Sequence, residues 1–145
     1  SWLDTPDSAA AMGLLDIGAK NCNLHITGRG GGLLSRAVGP GLPRDKSASA
    51  LAGFADNLCV GIEKTLTFYR GRYRQEVGLL YVSGGGALVT DLQAKLRETL
   101  NQPLTVLDPV AGLNERAKGG EDLQAAGALF VNACGLCRWW DEANV

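Results

Sequence analysis

Three short, mainly apolar runs lie near the start of the chain, at residues 12–17, 23–27 and 33–38. The second run alternates polar and apolar residues, which is the pattern of a half-buried β-strand. The glycine-rich stretch 28–32 joins the second run to the third, and such short links favour antiparallel pairing. The pattern therefore predicts a three-stranded meander, which ends at the glycines and prolines of residues 39–43.

A longer segment, residues 47–75, has the periodicity of an amphipathic helix. Its apolar residues recur every three or four positions and predict one stripe facing a core, made of Leu51, Phe54, Leu58, Ile62, Leu66, Tyr69 and Tyr73. The rest of the pattern predicts a strand, a helix, a strand and a last helix, at residues 78–82, 88–100, 104–107 and 121–140. The first of these two helices should bury one face, made of Leu88, Leu92, Leu96 and Leu100.

The predicted element order, β-β-β-α-β-α-β-α, places the chain in the α/β class with a mixed five-stranded sheet. Helical crossovers between parallel strands are right-handed, so the later strands should run parallel to the first. The first and fourth strands would then end at the same edge of the sheet. Residues 1–11 are mostly small and polar; we expect a leader or linker there, followed by one domain at residues 12–145.

Composition narrows the class of function only a little. Hydrophobic residues make up 46% and charged residues 20% of the 145 residues, as in an ordinary soluble globule. The formal net charge of −1 argues against a nucleic-acid-binding surface that depends on bulk charge. No apolar run reaches the ~18 residues that a membrane-spanning helix needs.

Two of the predicted strands end in glycine-containing turns. The first passes through Asp16 to Gly18, and the fourth leads into Gly84-Gly85-Gly86-Ala87 at the start of a helix. Backbone that lacks a Cβ at a helix N-terminus can approach a phosphate or a ribose closely. Both turns also have a structural interpretation, because aspartate accepts local N–H hydrogen bonds in turns and glycine adopts positive φ. The residues alone leave both interpretations open.

Four stretches, in the same order along the chain, resemble the actin-like ATPases, and among these most closely the PilM family of type IV pilus assembly. LDIGA at residues 15–19 resembles the second phosphate-binding turn of that family, and residues 55–70, ending in LTFYR, resemble its long helix. LYVSGGGAL at residues 80–88, with the strand segment 103–109, resembles the adenosine-binding turn, and ACGLCR at 133–138 resembles the closing helix. The resemblance identifies nearly the whole chain with the second half of the ribonuclease H-like fold, the IIA-like subdomain.

The resemblance implies a nucleotide site for ATP and magnesium at the two turns. Asp16 would contact a magnesium-bound water, because a carboxylate holds hydrated Mg²⁺ beside phosphates without a dedicated cage. Backbone contacts would reach the phosphates from Gly18, Ala19 and Lys20, and the nucleoside from Gly84, Gly85, Gly86 and Ala87.

Three departures from the family pattern limit that expectation. The first half of the fold, with its own phosphate turn, is not part of this sequence. Only residues 39–46 stand where the family usually has a small helical subdomain that covers the adenine, and Asp91-Leu92 stands where Gly-Leu is common. We therefore expect at most half of an ATP site and no autonomous catalysis.

The resemblance leads to a main functional hypothesis and two alternatives. The main hypothesis is an assembly or scaffold module of a pilus or type II secretion-type machine, cytoplasmic and peripheral at the inner membrane. Its partners would be the cytoplasmic segment of a membrane-anchored subunit, and the missing N-terminal half or a second copy, with no nucleic acid. One alternative is a degenerate actin-like scaffold without nucleotide binding. The other is an enzyme fragment related to sugar kinases and ribonuclease H, which would need further carboxylates on the meander.

The remaining reactive residues favour structural roles. Cys134 and Cys137 have a CxxC spacing, but they lie late in a predicted helix, whereas a redox pair would open one. His25 lies in a predicted strand with no Asp, Ser or Cys beside it in sequence. Trp139-Trp140 cannot share one helix face, so one indole is expected to be exposed or to meet another domain. We expect two further cysteines, Cys22 and Cys59, to be buried thiols.

Overall fold

Five β-strands form one sheet in the computed structural model, which describes residues 10–28 and 33–107. The strands are β1 (Ala11–Ile17), β2 (Asn21–Thr27), β3 (Leu33–Pro40), β4 (Val77–Ser83) and β5 (Leu104–Val106). Their order across the sheet is β3-β2-β1-β4-β5. β1 with β2 and β2 with β3 pair antiparallel, whereas β1 with β4 and β4 with β5 pair parallel. The predicted mixed sheet, with later strands parallel to the first, is confirmed.

Two α-helices connect the parallel strands: α1 (Ala48–Tyr73) lies between β3 and β4, and α2 (Thr90–Thr99) lies between β4 and β5. Neither helix is long and apolar enough to cross a membrane. The predicted last helix, residues 121–140, lies outside the described residues, as do Cys134, Cys137 and Trp139-Trp140. Most of the predicted leader also lies outside them, and β1 begins one residue before its predicted start.

Both ends of α1 have capping interactions that its sequence provides. The Ser47 side chain accepts a hydrogen bond from the N–H of Ala50 at 3.4 Å, which satisfies one of the free donors of the first turn. Arg70 and Arg72 lie in the last turn, where positive charge suits the helix dipole. Arg74 then adopts the left-handed conformation, φ 54°, and donates its N–H to the Arg70 carbonyl at 3.0 Å.

The two helices cover one face of the sheet. Sheet residues on that face have no exposed surface and belong to one core cluster with α1 and α2: Leu15, Ile17, Cys22, Leu24, Ile26, Leu80 and Val82. The predicted stripe of α1 is buried at Leu51, Phe54, Leu58, Ile62 and Tyr69, and Leu66 packs half-buried against the core. Tyr73 differs: it is 38% exposed in the last turn, and its ring lies 4.7 Å from that of Tyr69.

The meander ends two residues later than predicted, because β3 continues through Gly39 and Pro40. Pro40 pairs with Asn21 and accepts a hydrogen bond from Cys22 Sγ at 3.2 Å. In the described sheet β3 is an edge strand, where a residue that cannot donate an N–H is tolerated. Gly39 and Pro40 are therefore the last two residues of β3, and the strand ends at Pro40.

The helix after β4 also starts later than predicted. A 3-10 turn (Gly85–Leu88) comes first, and the N–H of Val89 closes it on the Gly86 carbonyl at 3.2 Å. Val89 then has extended backbone angles, φ −93° and ψ 99°, so α2 begins only at Thr90. As a result Leu88 is 47% exposed, and the buried leucines are Leu92, Leu96 and Leu100.

α1 approaches β3 closely at Gly61. A Cβ at this position would lie 1.9 Å from the carbonyl oxygen of Val38, nearer than any real side chain could be. Val38 is the extra residue at a register shift between β2 and β3, and its side chain is buried. The missing side chain of Gly61 therefore sets the distance between the helix and the bulged edge of the sheet.

Gly61→Ala should lower the free energy of unfolding by about 2 kcal/mol, because the added methyl group overpacks a site bounded by backbone. Gly53→Ala, in the same helix, is the matched control because no atom of the part of the chain that the structure describes lies within 4 Å of its Cβ position. This control should raise the free energy of unfolding by about 0.5–1 kcal/mol, since alanine favours helix over glycine. Urea unfolding followed by circular dichroism measures both; equal effects of the two substitutions would contradict the close approach.

Candidate functional site

β1 and β4 end side by side at one edge of the sheet. The two strands pair in parallel, with Asp16 opposite Ser83 close to both carboxyl ends. The turn that begins after Asp16 and the glycine turn, Gly84-Gly85-Gly86-Ala87, therefore leave the sheet next to each other. Side chains alternate between the faces of a sheet, so Asp16 and Ser83 lie on the face opposite to α1 and α2.

The side chains of Asp16 and Ser83 contact each other directly. Ser83 Oγ donates a hydrogen bond to Asp16 Oδ1 at 3.2 Å. Ser83 is only 2% exposed, whereas Asp16 is half-buried. The resemblance pointed to Asp16, but it did not point to Ser83, because the contact between them depends on the register between strands that are distant in sequence.

Gly84 and Gly86 are required by the packing of the glycine turn against β1. Gly84 has a φ of 81°, and a Cβ there would lie 2.6 Å from both Asp16 Oδ1 and the Ile17 carbonyl oxygen. A Cβ on Gly86 would lie 2.2 Å from Ile17 Cγ2. The turn thus folds over the end of β1 with room for hydrogen alone at both positions, and these two glycines have a structural explanation that needs no ligand.

Gly85 has no such explanation. Among residues 10–28 and 33–107 no atom lies within 4 Å of its Cβ position, and its φ is outside the region that favours glycine. Ala87, the last residue of the predicted contact set, is buried, and its N–H donates to the Gly84 carbonyl at 3.1 Å. Gly85 is therefore the residue of the turn whose missing side chain leaves an open surface.

The turn between β1 and β2, Gly18-Ala19-Lys20, forms backbone hydrogen bonds within its own hairpin and with the segment after β3. The N–H of Gly18 donates to the Asn21 carbonyl at 3.1 Å, and its carbonyl accepts from Leu42 at 2.8 Å. The N–H of Gly18 is thus occupied in this conformation. Ala19 and Lys20 are exposed, and within residues 10–28 and 33–107 their N–H groups donate no hydrogen bond.

Cys22 follows this turn as the second residue of β2. It is fully buried and unbridged, as is Cys59, and both match the sequence expectation of buried thiols. Burial raises the pKa of Cys22 to about 11; the neighbouring Asp16 charge adds to this, whereas a backbone hydrogen bond at Gly18 opposes it. The neutral thiol is therefore the form that the folded turn accommodates.

The donor set of the site suits hydrated magnesium beside phosphates better than a metal held by protein alone. Asp16 and Ser83 provide hard oxygen atoms, the ligands that Mg²⁺ prefers, with one carboxylate among them. In the described part of the chain, no group of three or more His, Cys, Asp and Glu side chains could hold a metal ion. Asp16 is also the one acidic residue on β1, β2 and β3.

Two other features lie away from the turns. His25 Nδ1 and Ser35 Oγ form a hydrogen bond of 2.7 Å between β2 and β3, on a part of the sheet that none of the predicted contact residues reaches. An open apolar cavity of about 200 Å³ lies on the face opposite to the helices, with Met12, Leu14 and Tyr81 in its wall. Its described lining includes neither Asp16 nor the glycine turn.

Comparison with known proteins identifies the family. The family model described as type IV pilus assembly protein PilM matches residues 35–138, well over half of the chain. The chain belongs to the PilM family. The matched stretch includes Ser83 and the glycine turn but begins after Asp16.

Comparison with solved structures gives one match of clearly similar fold and one weaker match. The structure titled PilM-PilN type IV pilus biogenesis complex has a TM-score of 0.73 at 21% identity, covering 90% of this chain and 46% of that chain. The crystal structure of apo pSK41 ParM has a TM-score of 0.48 at 13% identity, covering 92% of this chain and 48% of that chain. This PilM-family chain therefore spans less than half the length of either, and the predicted actin-like fold is confirmed.

The raised pKa of Cys22 predicts a loss of stability at high pH. The unfolded thiol ionises near its ordinary pKa of 9.0, whereas the folded thiol stays neutral to about 11. Ionisation therefore favours the unfolded chain as the pH rises through this window, and the wild type should lose about 1–2 kcal/mol more than Cys22→Ala. Urea unfolding at several pH values measures the difference; parallel pH profiles of the two proteins would contradict the burial of the thiol.

Proposed function

We propose that the chain is an assembly module of a type IV pilus machine, or of a related type II secretion machine, with an ATP-binding crevice at the ends of β1 and β4. The observation that carries this is the joining of Asp16 and the glycine turn at one sheet edge, in a PilM-family chain. In open α/β sheets, ligands bind outside the carboxyl ends of the strands.

The described residues fit a nucleotide with magnesium as one wall of a site. Within the described residues the N–H of Ala19 donates no hydrogen bond and could reach a phosphate oxygen, whereas Gly41 packs against the peptide between Ala19 and Lys20. The exposed Lys20 side chain adds a positive charge. Asp16 would hold a water of the magnesium ion, whose own contribution is to neutralise phosphate charge. Gly85 offers backbone without a side chain on which a nucleoside can lie.

The proposed role is binding rather than hydrolysis by this chain alone. A single carboxylate beside a hydroxyl provides neither an activated nucleophile nor a paired acid and base. The nucleotide would instead favour the arrangement in which a second wall covers it. That wall would belong to the amino-terminal half of an actin-like fold or to a second copy of the chain.

The proposed partner is a membrane-anchored pilus subunit that presents a short cytoplasmic segment. The basis is the solved relative, which is a complex of PilM with PilN. A chain that docks on such a segment would be cytoplasmic and peripheral at the inner membrane.

A degenerate scaffold without nucleotide is the second candidate, and specific contacts favour it. The packing against Ile17 and Asp16 accounts for Gly84 and Gly86, and the turn occupies the N–H of Gly18. An enzyme related to sugar kinases has less support, because the meander strands carry no carboxylate besides Asp16.

Nucleotide binding separates the two candidates. The chain should be titrated with ATP and magnesium, both by itself and as the full polypeptide that its gene encodes, with binding followed by calorimetry. We expect saturable binding by the full polypeptide, and at least a tenfold loss of affinity in Asp16→Ala, because a charge-assisted contact is removed. If neither polypeptide binds ATP, the nucleotide-binding function is rejected and the scaffold without nucleotide is the candidate that remains.

Gly85 supplies a sharper test of where the nucleoside lies. Gly85→Val should leave the unfolding free energy within about 0.5 kcal/mol, because its side chain enters open space. The same substitution should lower the affinity for ATP at least tenfold if the nucleoside lies on this backbone, because the valine side chain would separate the nucleoside from the backbone. Gly86→Ala is the contrasting variant, since it should destabilise the fold itself. Unchanged affinity in Gly85→Val would remove the turn from the site.

Docking is tested with a synthetic peptide. The peptide is the cytoplasmic segment of the PilN-type subunit encoded in the same genome, labelled with a fluorophore. Fluorescence anisotropy should give a dissociation constant of about 1 μM or lower, which corresponds to a binding free energy of about −8 kcal/mol. A scrambled peptide of the same composition is the control. Equal binding of the two peptides would reject the proposed partner.

A further inference from the structure

We propose that Ser83 is a positioning residue for the magnesium–nucleotide site: its hydroxyl holds the Asp16 carboxylate in the orientation that leaves one oxygen directed to the crevice. This inference rests on the proposed nucleotide function. It adds a residue that the family resemblance did not assign to the site.

The geometry supports a directed interaction. Ser83 Oγ donates to Oδ1 of Asp16 at 3.2 Å, and Ser83 itself is almost completely buried. Within the described residues no other group donates a hydrogen bond to this carboxylate. The nearest polar neighbour on the other side, Asn23, lies opposite Asp16 in β2, but its side-chain N–H donates to Asn21 Oδ1 at 3.4 Å.

An aspartate beside a turn has a competing conformation. Its carboxylate can accept hydrogen bonds from the backbone N–H groups that follow it, as in an Asx turn. In this chain the donor two residues on is the N–H of Gly18, which already donates to the Asn21 carbonyl at 3.1 Å. The hydrogen bond from Ser83 instead holds Oδ1 on the β4 side.

The glycine turn reinforces the arrangement. A Cβ at Gly84 would lie 2.6 Å from Asp16 Oδ1, so any side chain there would displace the oxygen that Ser83 holds. Two adjacent residues therefore determine the position of Asp16 Oδ1: Ser83 donates a hydrogen bond to it, and Gly84 leaves the space that it occupies. Oδ2 then remains for the water of a magnesium ion, an outer contact of the kind that orients metal-bound groups.

The test separates positioning from a general effect on the turn. ATP affinity is measured by calorimetry with excess magnesium and again with chelator, for wild type, Ser83→Ala and Ser83→Thr, in the longest encoded polypeptide. Ser83→Ala should weaken binding about tenfold with magnesium and less than about twofold without it, because outer-shell partners act through the metal. Ser83→Thr, which keeps the hydroxyl, should restore most of the loss. Circular dichroism and thermal unfolding check that each variant is folded.

Each other outcome has a distinct meaning. An equal loss with and without magnesium, or no loss at all, overturns the positioning role while the nucleotide function stands. Loss in Ser83→Thr equal to that in Ser83→Ala also overturns it, provided that Ser83→Thr unfolds at the wild-type temperature. Absence of ATP binding by the wild type rejects the proposed nucleotide function and this inference together.

Discussion

The parallel pairing of β1 with β4 is the constraint on which the candidate site depends. These strands are separated in sequence by two further strands and a long helix, yet their register places Asp16 opposite Ser83. The pairing requires α1 to cross over the sheet and pack on one face. Since the helices cover that face, the opposite face is the one that carries Asp16 and Ser83.

Two close backbone approaches maintain this arrangement, and each uses a glycine. At Gly61 the helix α1 contacts the carbonyl of Val38, so the crossover lies directly on the bulged strand. At Gly86 the turn after β4 contacts the side chain of Ile17, which joins the core to the candidate site. Protein interiors are close-packed, so a change at Gly86 would be felt at Ile17, the residue next to Asp16.

For the described residues, the sequence predicted the strands, the two α-helices and their order, because hydrophobic periodicity and short links are local signals. It placed α1 well, since Ser47 provides a cap and the stripe continues to Tyr69. It misplaced the start of α2, because the four-residue leucine spacing includes Leu88, whereas a 3-10 turn and the extended Val89 expose that residue. The family resemblance predicted Asp16 as a contact residue, but the contact between Asp16 and Ser83 could not be predicted, because strand register is a property of the whole sheet.

A glycine triplet at a strand end is a weaker sign of nucleotide binding than it first appears in a sequence. Gly84 and Gly86 each lie against β1 at distances that exclude a side chain, so folding alone is sufficient to select them. Gly85 has no positive φ, and within the described residues nothing lies near its Cβ position, so the described fold does not require glycine there. In this PilM-family chain Gly85 is therefore the residue of the turn whose glycine the packing of the described residues does not explain.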